Sequence, residues 1–167
     1  MLDPEIIHQI ARIYGRKVSL VAFDLAELSL DLAVAHPTTA EYFSSVPDTA
    51  IEADGCYSPL DICHLMSRSE LSFYNREYPW RYFAAVGLIV FASTPWGSCF
   101  TTDLNDGPVY EISTDINWAY ELYGEDDIEN EMERRSHNRP IILNSAKQTS
   151  SNLEEFFSKW LSRLSQK

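Results

Sequence analysis

Cysteine is scarce in this sequence: of 167 residues only Cys56, Cys63 and Cys99 carry a thiol, and no two of them form a CxxC pair. Three thiols leave one unpaired in any disulfide scheme, so reduced, mostly buried cysteines are expected. Long apolar runs are missing too. The longest, Tyr82 to Ala92, has about the length of a strand and falls well short of the roughly 18–20 residues of a membrane-spanning helix. The opening residues, Met1 to Glu5, show no basic region leading into an apolar run and a small-residue cleavage site, which argues against a secretory signal and for a cytoplasmic protein. No dinucleotide-binding GxGxxG, phosphate-loop lysine, GxSxG or HExxH motif is present, and neither a cofactor nor a metal is expected.

The most informative shortage is of basic charge. The formal net charge is −12, which disfavours binding to nucleic acid, because phosphate recognition draws on clustered Lys and Arg. The charge is also unevenly spread. Residues 1–102 hold twelve acids and six bases, and residues 134–167 two acids and seven bases. Between Asp103 and Glu133 there are eleven acids and no base at all: Asp103, Asp106, Glu111, Asp115, Glu121, Glu125, Asp126, Asp127, Glu129, Glu131 and Glu133. Such a run is most often a solvated face. Here Tyr110, Trp118, Tyr120 and Tyr123 are interleaved with it, and rings beside charge suit a docking surface, where aromatics anchor and charge steers a basic partner into register. The candidate contact residues are therefore Asp103, Asp106, Glu111, Asp115, Trp118, Tyr120, Glu121, Tyr123, Glu125, Asp126, Asp127 and Glu129. The run lacks the Asp/Asn, Gly and terminal Glu pattern of a calcium loop.

What remains is ample for a core: 45% of the residues are hydrophobic and 13% aromatic, at the length of one ordinary domain. One domain spanning 1–167 is expected, helical over 1–50, with a central β-meander over 83–113 and an amphipathic helix over 151–165. Asp3 before Pro4 starts a helix that Gly15 ends. The Ala and Leu content of Ser19 to Ala35 favours helix, a short helix follows from Thr38 to Ser45, and Ser58–Pro59 opens another that ends near Arg68. Phe83 to Ser93, apolar on both faces, reads as a central strand, with Ser98 to Leu104 and Val109 to Ser113 as its antiparallel partners. Gly124 to Arg135 reads as a loop or exposed helix, and Ile141 to Leu143 as a short strand. Ser151 or Asn152 caps a last helix with the stripe Leu153, Phe156, Phe157, Trp160, Leu161 and Leu164. The class is α+β, an antiparallel curved sheet with flanking helices.

Catalytic groupings are thin. The three cysteines and His8, His36, His64 and His137 are the candidates for a nucleophilic pair, but no nucleophile motif surrounds them. Cys63 and His64 are adjacent, which on a helix points them about 100 degrees apart. A non-enzymatic binding protein is the expectation.

One set of segments carries a family resemblance. Gly87 to Ser93 is followed by the turn Trp96, Gly97, Ser98, then by Cys99 to Asp103, Gly107 to Tyr110 and, much later, Ser151 to Phe157. With the upstream Cys56 to Ile62, this order resembles the SUKH superfamily, which includes Smi/Knr-type cell-wall regulators and many bacterial immunity proteins; Ser98 stands where the family usually has an acid. The resemblance implies an α+β fold, no catalytic residues, and a cytoplasmic immunity protein that neutralises a cognate toxin, often a nuclease with a basic cleft. A small acidic secretion chaperone, which would be a constitutive homodimer, is the alternative class.

Overall fold

A glycine divides the longest apolar run. In the computed structural model, which describes residues 2–28, 35–52, 64–77, 80–113, 121–123 and 130–166, Gly87 has φ +82°, a left-handed conformation that glycine adopts without strain. The run 82–92 therefore changes from helix to strand partway along. Helix α4 (Trp80–Ala85) closes through Val86 N–H to Phe83 O and Gly87 N–H to Ala84 O, and strand β5 (Leu88–Ser93) begins one residue later. The single strand expected from Phe83 onward is corrected to this pair of elements; an apolar run alone does not reveal such a break.

The chain order is α1 (Glu5–Ile13), β1 (Leu20–Val21), a 3-10 turn (Leu25–Leu28), α2 (Pro37–Phe43), β2 (Val46–Pro47), β3 (Ile51–Glu52), β4 (His64–Leu65), α3 (Arg68–Tyr74), α4, β5, β6 (Ser98–Asp103), β7 (Val109–Ser113), α5 (Glu131–Asn144), β8 (Ala146–Ser150) and α6 (Leu153–Leu164). β1 and β2 form a small ribbon, and β3 to β8 form one antiparallel sheet in sequence order. The α+β class read from the sequence is the one observed, with the meander extended by a strand pair before it and by β8 after it. No helix among the described residues is long and apolar enough to cross a membrane.

Helices cover both sheet faces. Between Val90 and Ala92 the β5–β6 register shifts, and the extra residue is Phe91. Its ring packs on Tyr42 of α2 and on Phe156 and Phe157 of α6, at centroid distances of 5.6, 5.3 and 6.0 Å. A bulge of this kind re-aims one side chain, here into the layer formed by α1, α2 and α6. On the opposite face α3, α4 and α5 pack; Asn75, just past α3, is buried and fastens that layer to β5. Its amide donates to Leu71 O and Val90 O (3.0 and 2.8 Å) and its carbonyl accepts from Val90 N–H (2.9 Å).

Other expectations are revised locally. Leu20–Val21 is strand and Leu25–Leu28 a 3-10 turn where a helix was expected from Ser19 onward; residues 29–34 lie outside the described residues. His64–Leu65 is strand, and Ser67 caps α3 by a reciprocal box with Glu70, so a helix starts at Arg68 instead of ending there. Residues 53–63, with the Ser58–Pro59 signal, are outside the described set. Ile141 to Leu143 is not a strand but the last turn of α5, with Ile142 fully buried; the strand is Ala146–Ser150. α6 is as expected, capped by Asn152, whose side chain accepts Glu155 N–H at 2.9 Å.

Removing the Asn75 amide would strand the N–H and C=O of Val90 in the sheet interior. Asn75→Leu is expected to lower unfolding stability by about 2–3 kcal/mol, the scale of buried unsatisfied groups, in urea denaturation followed by circular dichroism.

Candidate functional site

The acid-rich segment begins at the end of β6, and its first member is inside the protein. Asp103 is 1% exposed. One carboxylate oxygen accepts the Asn105 and Asp106 amides (3.1 and 3.3 Å), organising the turn to β7, and the other forms an ion pair with Arg139 of α5. Arg139 also donates to Val86 O at 2.7 Å, so a single guanidinium ties α5 to both the α4–β5 junction and the β6–β7 turn. Gly107 completes the turn at φ +88°, where a Cβ would lie 2.7 Å from the His36 ring, and His36 N–H donates to Leu104 O at 2.7 Å. The expectation that Asp103 faces a partner is corrected: its carboxylate is consumed by the fold.

The remaining described members separate into two places. Glu111 is half-buried in the middle of β7, across the ladder from Phe100 on one side and Lys147 on the other. Asp106 is 74% exposed at the turn, with Arg139 3.7 Å away. Glu121 is exposed, and Tyr123 is clamped to α5: its N–H donates to the Asn138 side chain at 2.9 Å, its carbonyl accepts from Asn138 at 2.8 Å, and its ring stacks on His137 at 4.0 Å. Tyr123 nonetheless keeps 41% of its surface exposed. Asp115, Trp118, Tyr120, Glu125, Asp126, Asp127 and Glu129 lie outside the described residues.

α5 adds what the candidate list left out. Its first turn presents Glu131 and Glu133 to solvent with Met132, 78% exposed, between them. Asn130 caps this turn by accepting Glu133 N–H at 3.1 Å, and acids suit the positive end of a helix. Among the described residues no ion pair reaches Glu121, Glu131 or Glu133. Exposed acids thus flank an exposed tyrosine at Glu121–Tyr123 and an exposed methionine at Glu131–Glu133. The signal for Glu131 and Glu133 was available in the charge count; Met132 was hidden by being a lone apolar residue in a polar run.

A different set of titratable groups converges at the other end of the sheet. β3–β4 pairing puts Glu52 opposite His64, and the α3 cap brings Glu70 in from above. Glu52 lies 3.2 Å from His64 Nδ1 and Glu70 3.1 Å from Nε2. Nε2 is buried, and the Glu70 carboxylate beside it is the group that most favours its proton. This is the one three-residue group among the described residues with metal-ligand atoms all within 4.8 Å of one another. Each imidazole nitrogen already faces a carboxylate, which favours the protonated ring. The Glu70 contact raises the His64 pKa, burial opposes it, and Glu52 adds to the rise; the net shift is upward. For Glu70 burial pushes upward, but His64 and the Ser67 cap outweigh it and the carboxyl titrates low. Cys99 is buried and its thiol is pushed up to about 12 by desolvation, so it is protonated at neutral pH and a poor nucleophile. Cys56 and Cys63 are outside the described residues.

No family model, curated protein or solved structure matches the chain. The functional reading therefore rests on its own residues.

The His64 group fixes a pH window. A raised histidine stabilises below the unfolded value of 6.5 and loses its contribution as pH rises through the folded value; a lowered Glu70 stabilises above 4.5 and loses its contribution as pH falls. The stability advantage of wild type over His64→Gln should be greatest between about pH 4.5 and 6.5 and shrink on both sides, read from urea midpoints across pH. For Asp103, replacement by Ala leaves Arg139 without its buried partner; a loss of about 3 kcal/mol is expected from thermal or urea unfolding.

Proposed function

We propose that this chain is a non-enzymatic, cytoplasmic protein-binding domain of the immunity type, which docks a basic toxin through its acid-rich segment and so blocks the toxin's working surface. The observation that carries the reading is acidic charge in excess: Arg139 meets Asp103 and Asp106, but among the described residues no ion pair reaches Glu121, Glu131 or Glu133. Eleven acids and no base lie between 103 and 133, and Glu121, Glu131 and Glu133 are exposed beside Tyr123 and Met132. Clustered like charges repel one another, and a cationic partner relieves that repulsion while raising the rate of encounter. The exposed ring and thioether supply apolar contact area of the kind that anchors an interface.

Two further points support it. The resemblance of the meander and last helix to the SUKH superfamily implies an α+β fold, and an α+β fold is observed. A nuclease toxin holds its substrate phosphates in a basic cleft, and a surface of carboxylates competes for the same cations. In this arrangement Asp103 and Arg139 hold the segment's first turn and α5 in place, while Asp106, Glu121, Glu131 and Glu133 meet the partner.

The test is association with the product of the adjacent gene. Glu121→Gln, Glu131→Gln and Glu133→Gln together should leave the melting temperature nearly unchanged, weaken the complex by about tenfold or more, and flatten its dependence on salt. Cells expressing that gene product should be protected by the wild-type chain and less so by the triple variant. Absence of a complex and of protection would end the proposal; an unchanged affinity in the variant would remove the acidic segment from it.

A further inference from the structure

The last fifth of the chain, residues 134–167, reverses the charge of the segment before it, with seven bases against two acids, and three of those bases gather at one cleft. The cleft lies between α6 and strands β6 to β8, on the sheet face opposite α5, and has a volume of about 280 Å³. Its apolar surface is aromatic: Phe100 and Phe156 pack at 5.1 Å, and Trp160, one turn further along α6, continues the wall. Lys147, Lys159 and Arg163 line it as well. Glu111 is the one acid in the lining, opposite Lys147 in the β7–β8 ladder but with no ion pair between them.

The cations are held differently. Lys159 is fixed across the cleft's edge by Glu155 at 2.7 Å and Thr149 O at 3.1 Å. Lys147 and Arg163 are exposed, and among the described residues neither has an ion pair or hydrogen-bond acceptor. Trp160 Nε1 is buried with no hydrogen-bond partner among the described residues, so the ring meets the cleft through its apolar surface. The groups without partners here are thus mostly donors and mostly positive, in a protein whose net charge is −12. Small-molecule sites are concave, with an apolar wall and a few convergent polar groups; this partly open cleft sets an aromatic wall beside a polar one, and its volume is just under their roughly 300–1,000 Å³ range.

We infer that this cleft is a binding site for a small organic anion: a planar apolar body seated on Phe100, Phe156 and Trp160, with a carboxylate or phosphate held by Lys147 and Arg163. The site stands apart from the acid-rich segment and does not depend on the toxin-binding reading. The body gains from aromatic contact and loss of water, and the head from a fork-shaped guanidinium that matches both carboxylate and phosphate. Lys159, already committed, positions β8 against α6 and so sets the width of the cleft.

The full chain is to be titrated calorimetrically with 2-naphthoate, 2-naphthyl phosphate and the neutral isostere 2-naphthamide. One-to-one binding of at least one of the anions is expected, with the amide about tenfold weaker or undetectable; the stronger anion identifies the preferred head group. The variant Lys147→Gln/Arg163→Gln should lose about tenfold in affinity for that anion while keeping its melting temperature, because both side chains are exposed. Glu121→Gln/Glu131→Gln/Glu133→Gln should bind it no more weakly than wild type. No binding of either anion, equal binding of the amide, or undiminished binding by the Lys147/Arg163 variant would each overturn the inference.

Discussion

Asp103 is an acid in an acid-rich segment, yet the fold depends on its being inside. Its carboxylate is the point at which three parts of the chain meet: the end of the central strand β6, the turn into β7, and Arg139 of α5, which also holds the α4–β5 junction. A buried charge is tolerated only when its oxygens are paired and hydrogen-bonded, and both conditions are met here. The pairing matters for more than stability, because α5 carries Glu131, Glu133 and the Asn138 clamp on Tyr123. Where α5 lies decides where those exposed groups lie. The interior acid thus orients the exterior ones.

The two sheet faces divide the work of the molecule. On one, the Phe91 bulge, Tyr42 and the aromatic stripe of α6 make a dense apolar layer with a base-lined cleft at its edge. On the other, Asn75 and Arg139 join helices to strands by polar bonds to backbone atoms that would otherwise be orphaned. Negative charge is carried by a turn and the start of a helix, and positive charge by an edge strand and the end of another. A protein with net charge −12 can in this way present surfaces of opposite sign.

Much of the architecture was legible. The β6 and β7 segments, the turn at Gly107, the first helix and the capped, striped α6 follow from periodicity and turn chemistry that tertiary structure reinforces. What misled were places where local signals compete. The run from Tyr82 to Ala92 is apolar throughout, so neither a helical nor a strand period shows, and only Gly87 marked the change. Ile141 and Ile142 have strand propensity, but packing of Ile142 in the core keeps them helical after Pro140. His64 reads alone as an isolated imidazole next to a cysteine; its carboxylate neighbours come from twelve residues before and six after, and only β3–β4 pairing and the α3 cap bring them together. Within the acidic segment the sequence identified the charge but not its distribution between inside and outside, because Asp103 and Asp106 look alike until Arg139 is placed.

In the proposed function the exposed acids around the β6–β7 turn, Tyr123 and the first turn of α5 form the docking surface. Hydrogen–deuterium exchange of the chain alone and with the adjacent gene's product tests it most directly. New protection is expected in the acid-rich segment and the first turn of α5, including residues 104–108, 121–123 and 130–135, with β3, β4 and α3 unchanged. Protection centred on β3, β4 and α3, with none in the acid-rich segment, would contradict it.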